Sequence, residues 1–319
     1  MTRRQKLVVV AALTFTVLLI ATARMARGHD NRVRIGYAPI MASVPVFVAQ
    51  DQKLFESHNL VPQNVSFSSS NDMVSALVSG QVDVLPAVSL VPLIHLEIQH
   101  PGKVRVFAHS RMRRGNSTYR IVVAGDSPIR TLQELEGKKL GVFPGTSATR
   151  LVSAFLKQKG ADPRTITFVQ LPPAAQVSSL RSGAVDALFA YDPLELISAP
   201  GEYRAISDSV YAELSEPCPL GVSAISRDFE RRHPGAAAIS TRAIQEAITY
   251  TGGHPQQVAA LLPRFTRMTL EMASRINVAD LTLSNEVDAA ALQRFIDMLY
   301  QAGEIPEKID AHRLIDDTR

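Results

Sequence analysis

Gly145-Thr146-Ser147 follows the apolar run around Leu140–Phe143 and leads into Ala148–Lys159, a stretch with helical spacing. A strand that turns into a helix through a glycine and two hydroxyl residues leaves free backbone N–H groups at the positive end of that helix. Those donors, with the two hydroxyls, can hold an anion or the acceptor atoms of a small polar ligand. Ser69-Ser70-Asn71, just ahead of Asp72–Ser79, is a second opening of the same kind. The plainer role for both is helix N-capping, which uses the same atoms.

Residue patterns for bond-making chemistry are missing. The sequence holds no phosphate-binding Gly-x-x-x-x-Gly-Lys-Ser/Thr loop, no His-Glu-x-x-His and no Gly-x-Ser-x-Gly elbow. His95, Glu97 and His100 are spaced so that the three do not share one helix face. Cys218 is the single cysteine, so no internal disulfide forms, and Pro217-Cys218-Pro219 reads as a tight connector. No catalytic residue, metal site or cofactor is expected.

The elements that position the polar openings alternate between strand and helix. Val33–Tyr37, Val65–Phe67, Val82–Leu85 and Val104–Ala108 are strand-like, and Val44–Lys53, Asp72–Ser79 and Leu90–Gln99 read as helices between them. Strands separated by helices of this size imply βαβ units and a mostly parallel sheet. The pattern then repeats. Val33–Pro39 matches Lys139–Pro144, and Ala76–Val84 matches Ser179–Ala187, with offsets of 105 (Gly36 to Gly141) and 103 (Gly80 to Gly183). In each Ser-Gly-x-Val-Asp copy, glycine ends a helix in the left-handed conformation. The aspartate, Asp83 or Asp186, then accepts backbone N–H bonds at a strand start. Two α/β lobes built to one plan are expected, with Ser117–Asp126 and Leu220–Ser226 as the crossings between them. Lobe one covers 31–116 and 225–319, and lobe two covers 117–224. The C-terminal third is helical, with Asp288–Gln301 apolar along one side.

Ligands of open α/β sheets bind beyond the carboxyl ends of the strands. That rule selects Tyr37 and Pro39, then Ser69, Ser70 and Asn71, then Val88 and Ser89 in lobe one. In lobe two it selects Gly145, Thr146, Ser147, Tyr191 and Asp192, with Phe143 as a further apolar wall. No arginine falls in these loops.

Residues 1–28 stand apart. Arg3, Arg4 and Lys6 precede the uncharged run Leu7–Ala23, the order of a secretory signal peptide, with Ala21-Thr22-Ala23 as a candidate cleavage site. The run is just short of the ~20 residues of a membrane span, so the alternatives are cleavage or retention as a signal anchor. Arg24 and Arg27 complete a leader without acids, and the formal net charge of +4 falls to −1 once its five cations are set aside. The body therefore has no basic character that would suggest nucleic-acid binding.

The chain resembles the periplasmic substrate-binding proteins of ABC importers, in the branch for nitrate, sulfonate, taurine and thiamine-pyrimidine precursors. The resemblance rests on Ile35-Gly36-Tyr37, Ala76–Asp83, Leu132–Val142, Gly145-Thr146, Ser182–Ala187 and Tyr300-x-x-Gly303. It implies the type II periplasmic-binding-protein fold, two lobes closing by a hinge on a small anionic or heterocyclic ligand. It also implies a monomeric, periplasmic protein that delivers the ligand to an ABC permease and its ATPase. Contact with the membrane, on this reading, comes only through an uncleaved leader anchored in the inner membrane. The alternatives are a membrane-anchored ligand sensor and an enzyme of the thiamine-pyrimidine type. The latter uses a cysteine-rich motif, which a chain with one cysteine lacks. The absence of tryptophan weakens a taurine-like or aromatic-ring ligand assignment.

Overall fold

The computed structural model describes residues 31–316, apart from 40, 116–118, 145, 192–200, 208, 267, 277 and 279–282. The leader therefore lies outside the described residues. Among those described, no helix is long and apolar enough to cross a membrane.

The chain builds two sheets. The first contains β1 (Arg32–Tyr37), β2 (Val61–Ser66), β3 (Val84–Ser89), β4 (Val104–Ser110), β10 (Gly221–Ser226) and β11 (Leu283–Ser284), in the order β11-β4-β10-β3-β1-β2. The second contains β5 (Tyr119–Ala124), β6 (Lys139–Val142), β7 (Thr167–Gln170), β8 (Ala187–Tyr191) and β9 (Tyr203–Ala205), in the order β7-β6-β8-β5-β9. β1 pairs parallel with β2 and β3, as β6 does with β7 and β8. β10 runs antiparallel between β3 and β4, and β5 runs antiparallel between β8 and β9. Each sheet is thus a parallel trio that receives one antiparallel strand from the chain as it arrives from the other lobe.

The repeat seen in the sequence is the repeat of the fold. Gly80 and Gly183 adopt φ of 72° and 73°, the left-handed conformation that glycine enters without a steric penalty. Asp83 and Asp186 follow at the starts of the equivalent third strands.

Helices cover the sheets. In the first lobe these are α1 (Val44–Asp51), α2 (Ser70–Val78) and α3 (Leu90–Gln99); in the second, α4 (Thr146–Gln158), α5 (Pro173–Arg181) and α6 (Val210–Leu214). The C-terminal part adds α7 (Arg227–Arg232), α8 (Pro234–Gly253), α9 (Pro255–Phe265), α10 (Leu270–Ser274), α11 (Ala289–Gln301) and α12 (His312–Ile315) to the first lobe. α11 is fixed there by a bond from the Asp288 backbone N–H to His109 Nε2 on β4 (3.0 Å) and by its buried Leu292, Phe295, Ile296 and Leu299. The Arg313 guanidinium of α12 reaches Glu97 of α3 at 3.0 Å.

Two sequence expectations shift. β3 starts two residues later than the apolar run suggested and ends four residues later, running through Pro86 to Ser89. Pro86 has no N–H to offer a ladder, and the register against β10 slips between Val222 and Ala224, opposite it. Ser223 Oγ in that slip donates to the Pro86 carbonyl at 2.6 Å. The lobe boundary drawn after residue 224 falls inside β10, the strand of the expected Leu220–Ser226 crossing, which is paired in the first sheet from Gly221 onward. The crossing point is the antiparallel bridge between Met112 and Cys218.

Candidate functional site

In the first lobe, Tyr37 closes β1, and its carbonyl accepts the Phe67 N–H at 2.9 Å. Its ring meets Phe47 edge-on at 6.3 Å, and Phe47 stacks on Phe265 at 4.7 Å. Pro39 is exposed in the bend that follows. Ser69 caps α2: its Oγ accepts the Asp72 N–H at 3.1 Å and donates to Asp72 Oδ2 at 2.7 Å. Ser68 Oγ donates to the same carboxylate oxygen at 3.3 Å. The positive end of α2 therefore already carries a carboxylate of the protein, which takes up the attraction an incoming anion would use. Ser70 Oγ accepts the Ser89 N–H at 3.3 Å, bringing two of the expected positions together, and Asn71 is exposed beside them. Val88 and Ser89 lie within β3 rather than in a loop after it. Val88 is 4 % exposed and part of the core. Ser89 stands at the N-cap of α3 without using its side chain as the cap.

In the second lobe, Thr146 begins α4 and Tyr191 ends β8, while Gly145 and Asp192 lie outside the described residues. Ser147, in the first turn of α4, donates its hydroxyl hydrogen to Glu304 Oε1, which the first lobe supplies just beyond α11. Glu304 is buried, and His95 Nε2 of α3 stands 3.5 Å from the same oxygen. Arg150, also in the opening of α4, donates from Nη1 to the Gly303 carbonyl at 2.8 Å and lies 3.7 Å from Glu304 Oε2. Burial pushes the Glu304 carboxyl up, but the His95 and Ser147 hydrogen bonds and the Arg150 charge together hold it below its ordinary value.

This cluster was not visible in the sequence. The loops after the strands hold no arginine, as expected, but Arg150 enters from inside the helix. Glu304 lies 157 residues from its partner Ser147, and only the helix-ending Gly303 marked its neighbourhood.

Aromatic rings gather behind the same end of lobe two. Phe143, just after β6, meets Phe189 of β8 edge-on at 5.7 Å, and Tyr119 of β5 stacks on Phe189 at 6.0 Å. Tyr211 of α6 closes the group, 4.8 Å from Tyr119 and 5.5 Å from Phe189. Of these, Phe143 was expected as an apolar wall. Tyr119 and Phe189 could have been found from the pairing of β5 with β8, which requires the fold. A groove of about 800 Å³ runs along the flank of α4 facing α11, lined by Thr149, Arg150, Ser153, Lys157, Leu214 and Met298, to one side of the strand-end loops. Among the described residues no group of three or more His, Cys, Asp or Glu could hold a metal.

Two α/β lobes with antiparallel crossing strands and polar strand-end loops define the two-lobed periplasmic-binding-protein fold. The family model for NMT1/THI5-like proteins matches residues 41–258, and the chain belongs to that family. A protein of Escherichia coli (strain K12) named for binding aliphatic sulfonates is 25% identical over 299 residues, covering 91% of this chain and 90% of its own. The alkanesulfonate-binding protein SsuA from Xanthomonas axonopodis pv. citri, solved with bound MOPS, superposes with a TM-score of 0.73 at 19% identity, covering 91% of this chain and 99% of that one. The periplasmic aliphatic sulphonate binding protein SsuA from Escherichia coli gives a TM-score of 0.73 at 22% identity, covering 90% and 92%.

Proposed function

We propose that the chain is an extracytoplasmic solute-binding protein. It takes a small anionic or heterocyclic ligand between its lobes and passes it unchanged to an ABC permease with its ATPase. The observation that carries this reading is the pseudo-symmetric pair of sheets, each crossed by one strand from the other lobe, with Tyr37, Ser70 and Ser89 at one set of strand ends and Phe143 and Ser147 at the other. Two lobes joined by such crossings can close about a hinge. A ligand that touches both lobes then lowers the free energy of the closed form. The binding proteins among its relatives support the same assignment.

The experiment is a thermal-shift screen of the protein lacking residues 1–28 against sulfonates, nitrate, carboxylates, pyrimidines and other small heterocycles, with mass analysis of each compound afterwards. The expected result is a concentration-dependent rise in melting temperature, worth about 2.7 kcal/mol at a hundredfold excess over the dissociation constant, with the compound recovered intact. A chemically altered compound would make the chain an enzyme. For localisation, the mass of the mature protein from the periplasm distinguishes a cleaved leader from an inner-membrane anchor.

A further inference from the structure

Both helix openings that could hold an anion carry a carboxylate of the protein itself. At α2 it is Asp72, held by Ser68 and Ser69. At α4 it is Glu304, brought across from the first lobe. The second is the more telling, because Glu304 engages both groups that would otherwise serve an incoming anion. It accepts the hydroxyl hydrogen of Ser147, and it stands 3.7 Å from the Arg150 guanidinium, which the Gly303 carbonyl also holds. Its side chain is 2 % exposed, so solvent screens it poorly. Among the described residues Oε2 accepts no hydrogen bond, and the carboxylate is balanced by Arg150 beside Oε2 and by Ser147 and His95 at Oε1. One cation and one carboxylate beside the opening of α4 leave it with little net attraction for a second anion. The half-buried rings of Phe143 and Tyr119, backed by the buried Phe189 and Tyr211, supply an apolar patch at the same end of the lobe.

We propose that Glu304 is a specificity-determining residue that acts as a charge filter. By engaging Ser147 and neutralising Arg150, it turns the α4 opening away from anions and toward organic ligands without net negative charge. This rests on the α4 opening being part of the ligand site, and it chooses the uncharged, heterocyclic side of the ligand class proposed above. Glu304 acts through Ser147 and Arg150 and is a positioning residue in that sense.

The test compares wild type with Glu304→Gln, an isosteric change whose side-chain carbonyl still accepts from Ser147. The probes are ethanesulfonate and ethanesulfonamide, matched in shape but not in charge, and inorganic sulfate. Binding is measured by calorimetry and by thermal shift at fixed ionic strength. In the wild type, sulfate and ethanesulfonate should bind no better than the neutral sulfonamide. In Glu304→Gln the anions should gain at least about tenfold in affinity while the sulfonamide changes little, because only the charge opposing Arg150 has been removed. The gain should vanish in Glu304→Gln combined with Arg150→Gln. A purely structural role for Glu304 would weaken all probes together, and that result overturns the proposal. So does a wild type that binds the anions as tightly as the variant does. If neither protein binds any probe but another compound shifts the melting temperature, the solute-binding reading survives and the charge filter at α4 falls. If no compound of either panel shifts it, both fall.

Discussion

The backbone N–H of Lys139 donates to Asp186 Oδ2 at 2.8 Å, and the Asp186 N–H returns a bond to the Lys139 carbonyl at 2.9 Å. The first lobe repeats the arrangement: Arg34 N–H reaches Asp83 Oδ2 at 2.9 Å, and Asp83 N–H reaches the Arg34 carbonyl at 2.8 Å. The copies differ in one respect. Arg34 folds its guanidinium onto Asp83, with Nε 2.9 Å from Oδ2, and the Asp83 side chain is 3 % exposed. Asp83→Ala therefore strips a buried carboxylate from a charged partner as well as from a backbone donor, and should cost about 3 kcal/mol. Asp186→Ala loses a single exposed backbone bond and should cost about 1 kcal/mol. Urea unfolding of the two variants checks the ordering; equal losses would mean that the Arg34 pair adds nothing.

Gly36 and Gly141 are paired by the repeat as well. A Cβ added at Gly36 would lie 2.6 Å from Leu85 Cδ2, and one at Gly141 would lie 2.6 Å from Leu188 Cδ2. These leucines are themselves one repeat apart. Each glycine lets a leucine of the third strand pack onto the neighbouring strand in the half of the sheet near the strands' carboxyl ends. Alanine at either position should destabilise by about 1–3 kcal/mol through overpacking, and should lower ligand affinity more at Gly141, two residues before Phe143. Melting temperatures and calorimetric affinities of the two variants separate these effects.

The parts of this molecule that were legible in the sequence are those set by local physics. Gly80, Gly183 and Gly303 are helix stops because only glycine enters φ near +70° cheaply. The Ala-Leu-Val-Ser-Gly and Ser-Leu-Arg-Ser-Gly copies betrayed the two-lobed plan because both must end a helix and start a strand. Pro86 hid the length of β3, since the slip that tolerates it is created by β10, more than 130 residues later. At the candidate site the sequence could offer hydroxyls and N–H groups, which are local. It could not assign their charge environment, because Asp72 looks like an ordinary first-turn acid and Glu304 reaches Ser147 only through the tertiary fold.

Cys218 offers a probe of the hinge. Its backbone pairs with Met112 at the return crossing, with Cys218 N–H to the Met112 carbonyl at 2.8 Å and Met112 N–H to the Cys218 carbonyl at 3.2 Å. Burial pushes its thiol up to about 12, so almost no thiolate exists at neutral pH. The native protein should react with a disulfide reagent at pH 8 far more slowly than the urea-unfolded chain does. Any residual rate reports opening of the crossing. A ligand that holds the lobes together should slow it further, by the ratio of open to total protein with and without ligand. Rapid labelling of the native state at the unfolded rate would show that Cys218 is not enclosed.

His109 sets a pH limit on the first lobe. Its ring is fully buried on β4, with Nδ1 2.7 Å from the Ser110 carbonyl and Nε2 accepting the Asp288 N–H at 3.0 Å. The ring is therefore the neutral tautomer with hydrogen on Nδ1, and protonating Nε2 would set two donors against each other at the start of α11. Burial is the main cause that lowers its pKa below 6.5, and the nearby Arg111 works in the same direction. The unfolded chain then binds more protons than the folded one below pH 6.5. The His109 contribution is thus complete above pH 6.5 and declines as pH falls, at up to about 1.4 kcal/mol per pH unit, until the folded-state value is reached. Asp288 works in a separate window. The Ala291 N–H at its helix cap lowers its carboxyl below 3.8, so its contribution holds above that value and is lost only in stronger acid. His109→Gln keeps an acceptor for the Asp288 N–H but cannot titrate. Its stability should be slightly below wild type at pH 7.5 and nearly level between pH 7 and 5, where wild type declines. Urea midpoints at half-unit intervals across that range decide the matter: parallel curves for the two proteins would assign the acid sensitivity to other groups.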